Sequence, residues 1–241
     1  VVALSGMVKV VCEWGLAGVE AWTSKADAFV IVDVLSFSTA VSVAVDSAAS
    51  IIPFPYGELE AAAAAAQARG AVMASPKRAL GGQLSLSPSS LRNVSPGTRV
   101  LLPSPNGSLL SLATGTVPTF CGSLRNAAAV AKAARVAAGE GLVVVIAAGE
   151  RWPNQSLRPA IEDWLGAGAI IDKLGGLESA EAALARASFV TAGPGLGALV
   201  RDSISGRELI DRGFAADVEV ALEIQSSDLA PALIDGEYRA F

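Results

Sequence analysis

The sequence predicts a layered α/β fold, and three observations carry that prediction. Of the 241 residues, 52% are hydrophobic but only 5% aromatic, so the core is built from Ala, Val, Leu and Ile. Such a core suits parallel strands covered on both faces by helices. Short apolar runs also alternate with longer Ala-rich stretches, a strand-then-helix unit that recurs about five times. The third observation is AFVIVDVL, Ala28 to Leu35, a run apolar nearly throughout and so expected at the sheet centre.

The elements follow in order. Val8 to Cys12 reads as a strand and Ala28 to Leu35 as a second. Ser38 to Ala49 reads as a helix capped by Ser38 or Ser36. Ser50 to Phe54 is a strand, Gly57 to Arg69 a helix of nearly pure Ala, and Ala71 to Ala74 a short strand. From Ser75 to Gly97 the pattern dissolves into Ser, Pro, Gly and Leu, and a loop this long inside a compact domain is usually functional or mobile. Thr98 to Leu102 is a strand, Asn106 to Ala113 a helix and Thr116 to Cys121 a strand. Ser123 to Ala138 is a helix and Gly141 to Ala147 a strand. From Pro159 onward the chain reads as mostly helical, with breaks at Gly175-Gly176 and Gly193 to Gly197, the latter a hinge between helices. No linker rich in Pro or charge divides residues 1–241, so one domain, or two closely packed lobes, is expected.

Composition narrows the chemistry. With 18 basic against 23 acidic residues the net charge is −5, and no Lys/Arg run marks a nucleic-acid binder. Anions must therefore be held locally, by a few arginines, a metal ion or helix N-termini. The start lacks a basic stretch followed by a long apolar run, and no apolar stretch reaches the roughly 18 residues of a membrane span without Gly, Pro or charge. A cytoplasmic protein with two free, buried thiols, Cys12 and Cys121, is expected. A chain this rich in Ala is compatible with a homodimer face. There is no histidine, which removes Ser-His-Asp and Cys-His catalysis and imidazole-based zinc sites. Carboxylates, hydroxyls, amides and a hard cation remain.

Asp33 interrupts an apolar strand near its C-terminal end, where a charge without a partner is costly. It is either a magnesium or phosphoryl-handling carboxylate, or one satisfied by the N–H groups of the following helix. Asn106-Gly107-Ser108 sits between strand and helix and can offer N–H groups and a hydroxyl to an anion, or simply cap the helix. Ser123 to Asn126 repeats the design after the next strand. Cys121 and Arg125 are separated by three residues, too few for a cysteine-phosphatase loop, which needs five. Gly149-Glu150-Arg151-Trp152 leads into a polar loop and the helix PAIEDWLG. Glu162 and Asp163 are adjacent there, with side chains diverging by about 100°. They either converge on one ion from the helix end or are acidic residues favoured by a helix N-terminus. Arg151 and Arg158 either bind an anionic group bidentately or pair with these two carboxylates.

Taken in order, VIVDVLSFSTAVSVAVDSAASIIPF, LSLSP, LPSPNGS, GSLRNAAAVA, AAGERW, AIEDWLGAGAIIDKL and SGRELIDRGFAADVEVAL resemble the 2-phosphosulfolactate phosphatase family across nearly the whole chain. The resemblance implies an α/β/α fold with a mixed, largely parallel sheet and a helical C-terminal part. It implies a Mg2+-dependent hydrolase that converts 2-phospho-3-sulfolactate to 3-sulfolactate and phosphate, a step associated with coenzyme M synthesis. Asp33, Glu162 and Asp163 are the expected catalytic residues and metal ligands. Ser38, Thr39, Asn106, Gly107, Ser108, Ser123, Asn126, Arg151 and Arg158 are the expected contacts to a small anionic phosphorylated metabolite. Many relatives read Asp-x-Leu-Arg where this chain ends on Ser36, and Asn-Ser-Pro where it has Leu86-Ser87-Pro88. Arg151, Arg158, Lys77 and Arg78 are the cations that could stand in. A non-catalytic anion-binding or regulatory protein on the same fold is the second reading.

Overall fold

The computed structural model describes residues 7–75, 78 and 83–241; Lys77 lies outside them. The first half runs β1 (Lys9–Trp14), α1 (Gly15–Trp22), β2 (Ala28–Val32), α2 (Phe37–Asp46), β3 (Ser50–Pro55), α3 (Leu59–Ala68), β4 (Val72–Met73), α4 (Pro88–Leu91), β5 (Arg99–Ser104) and α5 (Gly107–Ala113). It continues with β6 (Thr119–Gly122), α6 (Ala127–Ala138), β7 (Leu142–Ala147), the short strands β8 (Glu150–Arg151) and β9 (Leu157–Arg158), and α7 (Ile161–Leu174). The rest comprises β10 (Leu177–Glu178), α8 (Ala180–Ala192), a turn at Gly193–Gly195, α9 (Leu196–Asp202), α10 (Ile204–Asp211), α11 (Ala215–Ala221), β11 (Pro231–Ile234) and β12 (Glu237–Ala240).

One ten-stranded sheet has the order β10-β1-β7-β2-β6-β11-β12-β3-β5-β4. Neighbours are parallel from β10 to β6 and again from β3 to β4. The three pairings in between, β6–β11, β11–β12 and β12–β3, are antiparallel. The expected mixed, mostly parallel sheet is what the chain forms. Its helical C-terminal part extends through α11, and there the sequence expectation needs correcting. The last segment is a hairpin, inserted at the junction of the two parallel halves. Its turn is Asp235-Gly236, with φ of 53° and 74°, the backbone that an Asp-Gly hairpin turn requires.

Both faces of the sheet are dry. Along β2, Val30 and Val32 point into a core with α6, α7 and α8, while Phe29 and Ile31 point to the other face beneath α1 and α5. In the second half, Ile51, Val100 and Leu102 pack with α2, and Ile52 and Leu101 with α3. Alternating residues buried on opposite sides leave no polar face, which explains why these strands read as continuous apolar runs. Both cysteines are free and buried.

The three antiparallel pairings make the two parallel halves run in opposite senses, yet the C-terminal ends of β2 and β5 meet. Sheet twist reconciles this. At about 20–25° per strand, five steps turn β5 by roughly 100° or more relative to β2. Helix α5 then lies across both halves, and Tyr238 of β12 donates a buried 2.7 Å hydrogen bond to Ser111 of α5.

Ala180–Asp202 is a helical run of 23 residues that contains an 18-residue window of mean hydropathy 1.3, long and apolar enough to cross a membrane by length and composition. Within this fold Ala182 and Ala185 are buried against the first half's core, and Leu184, Val190 and Leu199 are exposed.

Candidate active site

Where β2 ends, the chain turns sharply into α2, and Asp33 sits in that turn, only 6% exposed. Its Oδ2 accepts from the Gly107 amide at 2.9 Å and its Oδ1 from the Phe37 amide at 3.3 Å. The anion gripped by the Asn106–Gly107 turn is therefore the protein's own carboxylate. Burial pushes the Asp33 carboxyl up to about 6, opposed by those two amides and by the guanidinium of Arg78. Ser38 and Thr39 shape the same turn. The Asp33 amide donates to Ser38 Oγ (2.9 Å), Ser38 donates to the Ile31 carbonyl (3.1 Å), and Thr39 donates to the Val34 carbonyl (2.7 Å). Both side chains are fully buried and spent on backbone.

Glu162 and Asp163 open α7 beneath this turn. Asp163 Oδ1 accepts from the Val34 amide (2.7 Å) and Oδ2 from the Gly149 amide (2.8 Å). One carboxylate thus ties together the ends of neighbouring strands β2 and β7. Burial, then the charges of Asp33 and Glu162, hold Asp163 well above the usual carboxylate range. Glu162 is 2% exposed, and its Oε2 is a buried oxygen with no hydrogen-bond partner among the described residues. The diverging side chains therefore take different tasks, one closed on backbone and one left open.

Asn106 does not cap α5 with its side chain. Its Nδ2 donates instead to Glu150 Oε2 at 2.9 Å. Glu150, just past the end of β7, is pushed up to about 7 by burial and then by the charge of Asp33, against the Asn106 hydrogen bond. Sequence reasoning passed over this residue, although its place directly after the Ala-Ala-Gly strand end was the available signal. It also passed over Ser104 and Arg212, whose positions only the fold discloses.

Asp33, Ser36, Arg78, Ser104, Asn106 and Glu150 line a polar cleft of about 150 Å3, together with Glu208 of α10 and Arg212 just past its end. Ser104 Oγ, buried, has no hydrogen-bond partner among the described residues. Arg78 Nη2 donates to Ser36 Oγ at 2.5 Å and Nη1 to Asp217 Oδ2 at 2.8 Å. A guanidinium thus stands beside the serine that occupies the arginine position of the resembled pattern. A second, more apolar cavity of about 190 Å3 lies between Trp14, Leu110 and Leu157, with Asn106 and Glu150 lining both.

Other expected contacts fall elsewhere. Strands β5 and β6 are not neighbours, so the two Ser/Asn turns are not side by side. Ser123 N and Oγ both donate to Asn126 Oδ1, closing that turn on itself. Ser108 donates to the Leu102 carbonyl at 2.9 Å. Arg125 is taken by Asp46 and Glu223, and burial raises the Cys121 thiol, as an inert core cysteine requires. Arg151 is exposed on β8. Arg158 pairs with Glu208 at 3.1 Å rather than with Glu162 or Asp163, and stacks 5.7 Å from the Trp152 ring centre.

Among the described residues no three Asp, Glu or Cys side chains are grouped as a ready metal cage. Mg2+ does not need one, because it is usually held by one or two carboxylates plus waters and substrate oxygens. The cleft, moreover, presents Asp33, Glu150 and Glu208 against Arg78 and Arg212. The charge of Glu162 bears on Asp33, Glu150 and Asp163, and its Oε2 has no partner among the described residues, so these carboxylates offer oxygen donors of the kind a hard cation takes.

A sequence model described as 2-phosphosulpholactate phosphatase matches residues 19–236. No curated protein matches the chain.

Proposed function

The chain belongs to the 2-phosphosulfolactate phosphatase family, and from that premise we propose that it is a Mg2+-dependent hydrolase of small acidic phosphomonoesters, with 2-phosphosulfolactate as the first candidate substrate. The observation that carries the reading is Asp33, buried at a strand end, fixed by two amides and facing the polar cleft beside Glu150.

Glu162 and Asp33 would hold the ion. Asp163, whose two oxygens are engaged by Val34 and Gly149, positions the loops that carry them. Bound Mg2+ would neutralise phosphate oxygens and lower the proton affinity of water. Without a cation, a phosphate dianion entering beside Asp33 and Glu150 meets net repulsion. The chain's own residues orient the reactants: Gly107 and Phe37 amides hold the Asp33 carboxylate, and Asn106 holds that of Glu150. A carboxyl raised to about 7 exchanges protons near neutral pH, so Glu150 would take the proton of the attacking water.

The test is phosphate release from 2-phosphosulfolactate and a panel of small phosphomonoesters, with Mg2+ or EDTA, for wild type and Asp33→Asn. Metal-dependent release that falls by about 100-fold or more in the variant supports the reading. Release indifferent to both EDTA and the substitution removes it. Absence of turnover from a folded protein leaves the non-catalytic anion-binding protein.

A further inference from the structure

We propose that Arg78 and Arg212, set around the ring of Phe214, form a subsite for a second, non-transferred oxyanion of the substrate, a carboxylate or sulfonate. The proposal rests on the phosphatase reading for the identity of the transferred group, but the subsite has its own geometry. Arg78 comes from the loop after β4 and Arg212 from the end of α10, and both line the polar cleft that Asp33 faces. Their guanidinium carbons lie 5.8 Å and 6.0 Å from the Phe214 ring centre. Cation–π contacts of this kind orient the guanidinium planes without consuming their N–H groups.

Arg78 is pinned. Its side chain is 9% exposed, with one N–H on Asp217 and one on Ser36. A guanidinium has five donors, so three remain for a ligand. Asp217 is itself held by Ser87 Oγ at 2.6 Å and the Ser89 amide at 3.3 Å. The cation therefore stands on a fixed base. Arg212 differs: it is exposed, and no carboxylate pairs with it among the described residues. Burial lowers the proton affinity of Arg78, Asp217 restores it, and Arg212 again opposes it. Two guanidinium groups close enough to oppose one another, with only one of them neutralised, are an arrangement that an oxyanion relieves.

Ser104 adds a separate observation. Ser104 is 1% exposed and lines the same cleft, and its hydroxyl finds no partner among the described residues. Buried hydroxyls are normally hydrogen-bonded. Here the donor shares the cleft wall with Asp33 and the arginines. The cleft of about 150 Å3 suits a small molecule carrying two anionic groups, not a nucleotide. Asp33 and Glu150 line it from strand ends and Arg212 from the end of α10, where the remaining lining carboxylate, Glu208, is already paired with Arg158. Arg212 is thus free to hold an anion apart from the phosphate that reacts.

The experiment uses a matched pair of esters, 2-phospholactate and isopropyl phosphate, which differ by a carboxylate in place of a methyl group. The ratio of their kcat/KM values is measured for wild type, Arg212→Gln and Arg212→Lys. Wild type should prefer 2-phospholactate, and Arg212→Gln should lower that preference about tenfold or more, as expected for a lost charge-assisted contact. Arg212→Lys should recover part of it. An unchanged ratio in Arg212→Gln overturns the subsite. If wild type hydrolyses neither ester, the phosphatase reading falls on its own, and calorimetry with 3-sulfolactate decides the subsite. Binding weakened about tenfold in Arg212→Gln sustains it; no binding to wild type, or binding equal in both, removes it.

Discussion

The amide of Gly107 donates to Asp33 Oδ2 at 2.9 Å across 74 residues of sequence. That bond closes the two crossed halves of the sheet over one point. Gly107 has no room for a side chain, because a Cβ there would lie 2.2 Å from Phe37 Cδ1 and 2.6 Å from Phe37 Cβ. Gly107→Ala should therefore push α5 away from α2, lengthen the bond to Asp33 and cost about 1–3 kcal/mol, as overpacking typically does. Turnover should fall with it. Denaturant unfolding and phosphate release, measured on the same preparation, check both.

Asp163 should behave as a clamp. Asp163→Ala orphans the Val34 and Gly149 amides, at about 1–3 kcal/mol for each buried donor. Asp163→Asn keeps one acceptor oxygen and removes a charge from a cluster of carboxylates, so its loss should be clearly smaller. Urea midpoints at pH 7 rank the two variants. Equal midpoints for Asn and Ala would deny the clamp.

The carboxyls of the cleft make stability depend on pH with a definite sign. Asp33 rises from 3.8 to about 6 in the fold and Glu150 from 4.5 to about 7. Across that range the folded chain keeps protons that the unfolded chain has released, so raising the pH favours unfolding. In EDTA, stability should be highest below about pH 4 from these groups, decline through pH 6–7, and level off above. Glu150→Gln removes its share, so the variant should gain on wild type between about pH 4.5 and 7. Thermal midpoints across this range test the direction.

Glu162 supplies a readout of the metal that needs no substrate. Mg2+ should raise the wild-type midpoint, by about 2.7 kcal/mol of stabilisation at 100-fold excess over its dissociation constant. Glu162→Gln should raise the midpoint in EDTA, by removing a buried charge, and shrink the Mg2+ response. A response of wild-type size in the variant would take Glu162 out of the site.

Some of this was legible in the sequence. Asp33 was visible because a charge inside AFVIVDVL needs a partner, and the fold supplies two backbone N–H donors, one of them from the following helix, while setting the residue at the polar cleft. The hydroxyls of Ser108 and Ser123 looked like anion donors because the motif gives their spacing but not their rotamers. In the fold they bond Leu102 and Asn126. Glu150 was overlooked because its partner, Asn106, is 44 residues away and reads locally as a helix cap. Arg78, Ser36 and Asp217 meet only through tertiary contacts across more than 130 residues in one case. The closing hairpin had a signal, Asp235-Gly236 after the apolar run Pro231 to Ile234, but two four-residue strands carry little periodicity.

The position of that hairpin has a consequence for how the molecule is made. Translation delivers β6 and β3 long before β11 and β12, the strands that join them. Until then each half presents an apolar edge with unpaired amides, the kind of surface that recruits other chains. The nascent protein is thus two adhesive pieces awaiting a zipper, and the residues most exposed to that hazard, Phe120 and Ile51, are the ones the zipper finally covers. A bulky fusion placed after Phe241 would sit next to the seam, whereas one before Val8 would be remote from it in the order of assembly.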